Sequence, residues 1–231
     1  MDNGNMNELL KNINHYYEES KKLPQKFGAG PSIYFHKECI EAGNNEYLGK
    51  RHIEMIYATL TAWGMHRMGD ITKTKTKLEE FNKFIENILS LEKNLLKLKN
   101  TNLNDLEKNK DIIKEVFLGL KISKSNSLVV ANSKTMHHLL WDLIPPIDRE
   151  HTIRFFRYDK DEFRKKSIEV PSDRSKQFDI FWDIITKMKK ISESNEFDGL
   201  VKDNSIYGFY PSNPKIVDDL IMAFVKEAKG M

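Results

Sequence analysis

Apolar positions recur every three or four residues along almost the whole chain, the spacing of amphipathic helices. Leu9, Leu10, Ile13, Tyr16 and Tyr17 share one face of a helix predicted over 6–23, which Pro24 and the run Phe27-Gly28-Ala29-Gly30-Pro31 break. Ser32 is the expected N-cap of a short helix, Ile33 to Ala42, ending at Gly43-Asn44-Asn45. Ile53, Ile56, Tyr57, Leu60 and Trp63 mark a buried helix from Lys50 to Gly64. The longest regular pattern, Thr74 to Lys99, reads as one helix or as two joined near Ser90, and another helix follows from Leu106 to Leu120. Ser172 is placed to cap a helix reaching Ser192, with Phe178, Phe181, Trp182, Ile185 and Met188 inward. The last helix begins at Asn213-Pro214, where the missing proline N–H costs nothing. Strand patterns are nearly absent, since Val129-Val130 is too short to count. The expected fold class is all-α, an orthogonal multi-helix globular fold. It forms a single helical domain over 1–231, divisible into sub-lobes 32–120 and 121–231, the second taking the N-terminal helix.

One stretch departs from this regularity. Between Ser127 and Phe156 a short apolar run meets a polar turn, a lysine, two histidines, a Pro-Pro corner and an aspartate. Asn132 or Ser133 is placed to cap a helix from Lys134 to Trp141, which puts Lys134 in the first turn. Pro145 and Pro146 stiffen the connection that follows, because each fixes its own φ and restricts its predecessor. Asp148 then caps a helix from Arg149 to Arg157. If the corner is tight, the Lys134 amine and the Asp148 carboxylate line one cleft.

Composition narrows the classes of function. The chain has 231 residues, 39% hydrophobic and 31% charged, with 37 Lys+Arg against 34 Asp+Glu for a net charge of +3. That balance does not by itself imply a polyanionic partner. A single cysteine, Cys39, excludes an internal disulfide and a cysteine-based zinc site, and points to a reducing, cytoplasmic compartment. Residues 1–20 are polar and carry no signal-peptide core, and no apolar run reaches the ~18–20 residues of a membrane span.

Asn132-Ser133-Lys134-Thr135, a short helix and then Ile147-Asp148 resemble the end of a helix-hairpin-helix and its downstream aspartate in the HhH-GPD DNA glycosylase superfamily. The archaeal 8-oxoguanine glycosylases are the nearest comparison. The likeness covers about residues 127–156, with Ala131-Asn132-Ser133 standing where that family has Gly-x-Gly. The resemblance implies a two-lobed all-α fold, DNA as partner, no cofactor, Lys134 as the nucleophile toward the sugar C1′ and Asp148 as its carboxylate. Asn132, Ser133, His138, Arg149 and His151 would then be binding residues around the pair.

The helix end Trp63-Gly64-Met65-His66-Arg67 offers an aromatic face and two potential cations, a mixture suited to base stacking and phosphate contact. The bland reading makes Trp63 core and Arg67 a cap of the helix carbonyls. Tyr207-Gly208-Phe209-Tyr210 reads as a structured loop or the flank of a ligand pocket. His138, Asp148 and His151 form a conceivable metal set, with the last two three apart on one helix face. The alternative to base excision is a non-catalytic helical protein that binds a protein or a small molecule through the same cleft.

Overall fold

In the computed structural model of this chain, residues 4–26, 30–65, 78–124, 128–200 and 212–230 are described. The N-terminal pattern forms two helices, α1 (Gly4–Lys11) and α2 (Ile13–Lys26). Asn12 separates them, its side-chain amide turned back onto the Glu8 carbonyl at 3.0 Å. In α3 (Pro31–Asn45) the first turn starts at Pro31, with Gly30 in the cap position. Ser32 therefore lies inside the helix rather than capping it, because a proline is already suited to the first helical position. Gly43 belongs to this helix. A Cβ there would come within 2.8 Å of His52 and 3.0 Å of Trp141, so the close packing of those rings depends on its missing side chain.

Beyond α4 (Lys50–Ala62), the long lysine-rich pattern resolves into α5 (Phe81–Leu89) and α6 (Glu92–Leu98). The break falls at Ser90, whose hydroxyl donates to the Asn87 carbonyl. Two 3₁₀ turns lead into α7 (Lys110–Gly119), and α8 (Leu128–Leu139) follows. After the proline elbow come a π-turn, Arg149–Ile153, and α9 (Arg154–Arg157). Then α10 (Arg174–Ser192) is capped by Asp173, which accepts from the Lys176 N–H at 2.8 Å, rather than by Ser172. A single turn, α11 (Asn195–Asp198), and α12 (Asn213–Ala228) complete the described chain. Among the described residues there is no strand, only an isolated bridge between Leu78 and Ser123. The fold is all-α. None of the described helices is long and apolar enough to cross a membrane.

The organising element is α8. Every residue from Leu128 to Leu139 except Val130 is buried. It touches α3, α4, α7 and α10, while α3 packs along α4 and α12 along α2. A helix enclosed on all sides has no polar face to mark its period. Its polar side chains are therefore matched one by one. The Asn132 amide donates to the carbonyls of Phe117 and Leu120 at 2.7 and 3.2 Å, and the Thr135 hydroxyl donates to Ala131 at 2.9 Å. This corrects the expected start of the helix. Asn132 and Ser133 lie within it, Lys134 is not in its first turn, and the residues from Leu128 up to that lysine are helical.

The first described N–H groups of α8 are satisfied from a distance. Gln177 Oε1, on α10, accepts from the N–H groups of Leu128 and Val129 at 2.6 and 3.2 Å. A helix whose first donors are buried needs such a partner. Gln177→Leu leaves both donors stranded and is expected to destabilise the protein by about 2–3 kcal/mol, measured as a shift in the urea midpoint at unchanged slope.

Candidate functional site

The proline elbow is tied to α8 at both of its shoulders. His137 Nδ1–H donates to the Ile144 carbonyl at 2.8 Å, and the Ile147 N–H donates to Ser133 Oγ at 3.1 Å. Pro145 and Pro146, with no N–H of their own, need no partner between these two anchors. The chain is thus folded back so that Asp148 returns beside Lys134. The Lys134 Nζ to Asp148 Oδ2 distance is 3.3 Å. Asp148 is also the cap of the π-turn, accepting from the Glu150 and His151 N–H groups at 2.8 and 3.3 Å, and from the His151 ring Nδ1 at 3.0 Å. Burial pushes its carboxyl up, but the His151 hydrogen bond, the Lys134 charge and the turn N–H outweigh that and hold it well below the usual carboxylate range.

This pair opens into a cavity of about 360 Å³. Trp63 forms part of its wall, with Lys134 Nζ 5.6 Å from the ring centre. The indole is held in place at the C-terminus of α4, its Nε1–H donating to the Ser32 carbonyl at 3.3 Å. Gly64 takes φ of 76° immediately after it, and the Met65 N–H closes the turn onto the Leu60 carbonyl. That left-handed step is one glycine takes without strain. Leu23, Ile33 and Met222 supply apolar lining, and His36, Lys215, Asp218 and Asp219 complete the polar one.

Behind the pocket lies a row of buried histidines with legible tautomers. His138 Nδ1 faces the Lys134 carbonyl at 2.7 Å and must donate, so its Nε2 accepts from His36 Nδ1–H at 3.1 Å. His52 Nδ1 accepts the Leu48 N–H, leaving Nε2–H to donate to the His138 carbonyl, each at 3.1 Å. His137 stacks on His36 with centroids 5.5 Å apart, and its Nε2 meets no hydrogen-bond partner among the described residues. Burial is the leading cause that lowers all four: His52 to about 4, His138 to about 3, and His36 and His137 well below the usual imidazole value.

Of the residues singled out from sequence, Lys134, Asp148, His151 and Trp63 line one cavity. Asn132, Ser133 and His138 do not reach it. They are fully buried and hold α7, the elbow and His36 in place, because an enclosed helix must use its polar groups internally. Arg149 is exposed at the start of the π-turn, outside the cavity lining. His66, Arg67 and the Tyr207–Tyr210 cluster lie outside the described residues. The set His138, Asp148 and His151 does not converge. Asp148 pairs with His151 while His138 points to His36, and no cluster of metal-ligating side chains forms among the described residues.

Sequence reasoning missed His36 and the α12 trio Lys215, Asp218 and Asp219. Charged residues three and four apart on a helix ordinarily form a solvated face; here all three are buried. A larger hollow of about 1040 Å³ lies elsewhere, bordered by Asn100, Asn102, Trp141, Asp142 and Asn213. It is broad and polar, and Glu193 on its border pairs with Lys189. The smaller pocket is the one that brings Lys134, Asp148, His151 and Trp63 together. Compared with known proteins, the chain matches no family model, and no curated protein or solved structure is similar enough to count as a match.

Proposed function

We propose that this pocket receives a single nucleobase, and that the protein is a base-excision glycosylase/lyase-like protein or a diverged nucleic-acid-binding relative of one. Lys134 and Asp148 are its working pair. The observation that carries this reading is the Lys134 amine, 3.3 Å from Asp148, facing a cavity of about 360 Å³ walled by an indole. Enzymes that act on a base extrude it from the stack into a snug pocket and hold it against aromatic and apolar side chains. Trp63 with Ile33, Leu23 and Met222 suits a flat heterocycle. Lys134 supplies a nitrogen nucleophile toward C1′, and the anionic Asp148 stabilises the positive charge that grows on the sugar.

A second reading has its own observation. Three carboxylates, Asp148, Asp218 and Asp219, stand against two lysines, Lys134 and Lys215, so the lining carries no excess of positive charge for phosphates. That suits a small donor-rich molecule bound without nucleic acid.

The two are separated by the indole N–H resonance of Trp63, assigned through Trp63→Phe. Short single-stranded oligonucleotides containing each normal base or 8-oxoguanine are expected to move it while leaving Trp182 in place. Affinity should fall steeply as salt rises. A Trp63 response indifferent to salt favours the small-molecule reading. No response at Trp63 across the panel removes the base pocket altogether.

A further inference from the structure

Two acids of the pocket are held in opposite ways. Asp148 accepts two backbone N–H groups, the His151 ring and the Lys134 amine. Asp218 has far less support. Its Oδ2 lies 3.2 Å from Lys215 Nζ, but that amine also holds Asp219, in a closer contact. Its Oδ1 faces the Thr152 hydroxyl at 3.4 Å. Thr152 Oγ1 already accepts the Asp148 N–H at 3.0 Å, so the hydroxyl proton is directed to Asp218. A line of hydrogen bonds thus runs from the Asp148 backbone through Thr152 to Asp218.

Asp218 and Asp219 are 5% and 7% exposed. The Lys215 amine is shared between two carboxylates buried side by side, and like charges so close do not both ionise freely. Among the described residues, the other charged and titratable groups around the cavity are Asp148 and His151 from the elbow and π-turn, Lys134 from α8 and His36 from α3, and α2 contributes apolar Leu23.

The geometry points to Asp218 as the pocket's proton carrier, the acid that protonates the departing base, while Asp148 stays a fixed anion beside Lys134. This rests on the base-pocket reading and assigns a second role within it. As the C1′–N bond breaks, its electron pair goes to the base nitrogen, which takes the Asp218 proton and leaves a carboxylate on Lys215. A proton from the Lys134 ammonium then restores the acid, and the electron pair so freed on its nitrogen forms the new bond to C1′. The electrostatics run the same way. Burial foremost, opposed by Lys215 and reinforced by Asp219, pushes the Asp218 carboxyl up to about 6. Two carboxyls of one site, driven apart by their surroundings, divide acid and anion roles between them.

The test uses the full chain labelled at aspartate carboxyl carbons, titrated from pH 5 to 8, where the protein is folded, with and without millimolar adenine. One resonance should titrate near neutrality, vanish in Asp218→Asn and shift its midpoint downward in Asp219→Asn, where a like charge is gone. Asp148 should stay ionised throughout. Should Asp218→Asn fail to fold, Thr152→Val removes the hydroxyl that donates to Asp218, along with the acceptor of the Asp148 N–H, and should raise the same midpoint. Adenine should displace that midpoint together with the Trp63 indole signal. An Asp218 carboxyl ionised down to pH 5, or a midpoint that adenine leaves unmoved while Trp63 responds, overturns the inference alone. Adenine that moves neither Trp63 nor any carboxyl removes the base reading and this inference with it.

Discussion

Lowering the pH from 7 to 5 is expected to remove much of this protein's stability, which falls by about 4 kcal/mol per pH unit near pH 5. The cause is the row of histidines enclosed behind the pocket. His36, His52, His137 and His138 are neutral in the folded state, burial being the main reason their rings resist protonation. In the unfolded chain each returns to the ordinary value near 6.5. Below that pH the unfolded state binds more protons, so the stability held by neutral rings is whole above about pH 6.5 and is lost as pH falls beneath it. Each ring contributes a slope of about 1.4 kcal/mol per pH unit.

One group works in the opposite direction. Asp218 is raised to about 6 in the fold, so between that value and its unfolded value the folded state holds the extra proton, which offsets roughly one histidine. Asp148, held low, adds no loss until pH drops through the unfolded carboxylate range. A net of about three protons remains, and with a total stability of about 5–15 kcal/mol the fold does not survive to pH 4. Urea midpoints at pH 7.5, 6 and 5 measure the slope directly. His137→Phe removes one ring whose Nε2 has no partner among the described residues, and should flatten the slope by about one proton. A stability unchanged between pH 7.5 and 5 would mean that these rings are hydrated or charged in the fold.

The second large effect concerns Lys134. Addition of its amine to C1′ of a deoxyribose, with opening of the sugar ring, yields an iminium that borohydride converts to a stable secondary amine. Wild-type protein is therefore expected to form a covalent adduct with duplex DNA carrying an abasic or damaged site, and Lys134→Ala to form none. Asp148→Asn is the more informative partner variant. Its amide oxygen can still accept the turn N–H groups that Asp148 now receives at 2.8 and 3.3 Å, so the π-turn keeps its cap. What it lacks is the negative charge beside Lys134. Adduct formation should slow on the order of 100-fold. The urea midpoint should fall as well, because a carboxylate held that low by its partners contributes stability at neutral pH, so rates are compared under conditions where both proteins are folded.

Much of this arrangement was legible in the sequence. Three- and four-residue spacing of large apolar side chains is enough to place the helices, since burying one stripe of each is the dominant favourable term. The juxtaposition of Lys134 with Asp148 also follows from local chemistry, because two prolines force a return and an aspartate caps the next turn. The start of α8 was not legible. Its first donors are satisfied by Gln177, 49 and 48 residues away, while Asn132 and Ser133 imitate local caps and spend their polar atoms on α7 and the elbow. The α12 trio was hidden for a related reason. Lys215, Asp218 and Asp219 have the spacing of a solvated ion-pair face, and only the packing of α12 beside the elbow makes them buried. Local rules see spacing; they do not see which face another element will cover.

The most direct measurement is peptide mapping of the borohydride-reduced protein after incubation with abasic-site duplex. A sugar-derived mass addition on Lys134 alone, absent from Lys134→Ala and strongly reduced in Asp148→Asn, is the expected result. A folded protein that yields no adduct, or one whose adducts scatter over exposed lysines and persist without Lys134, would contradict a catalytic role for this pair.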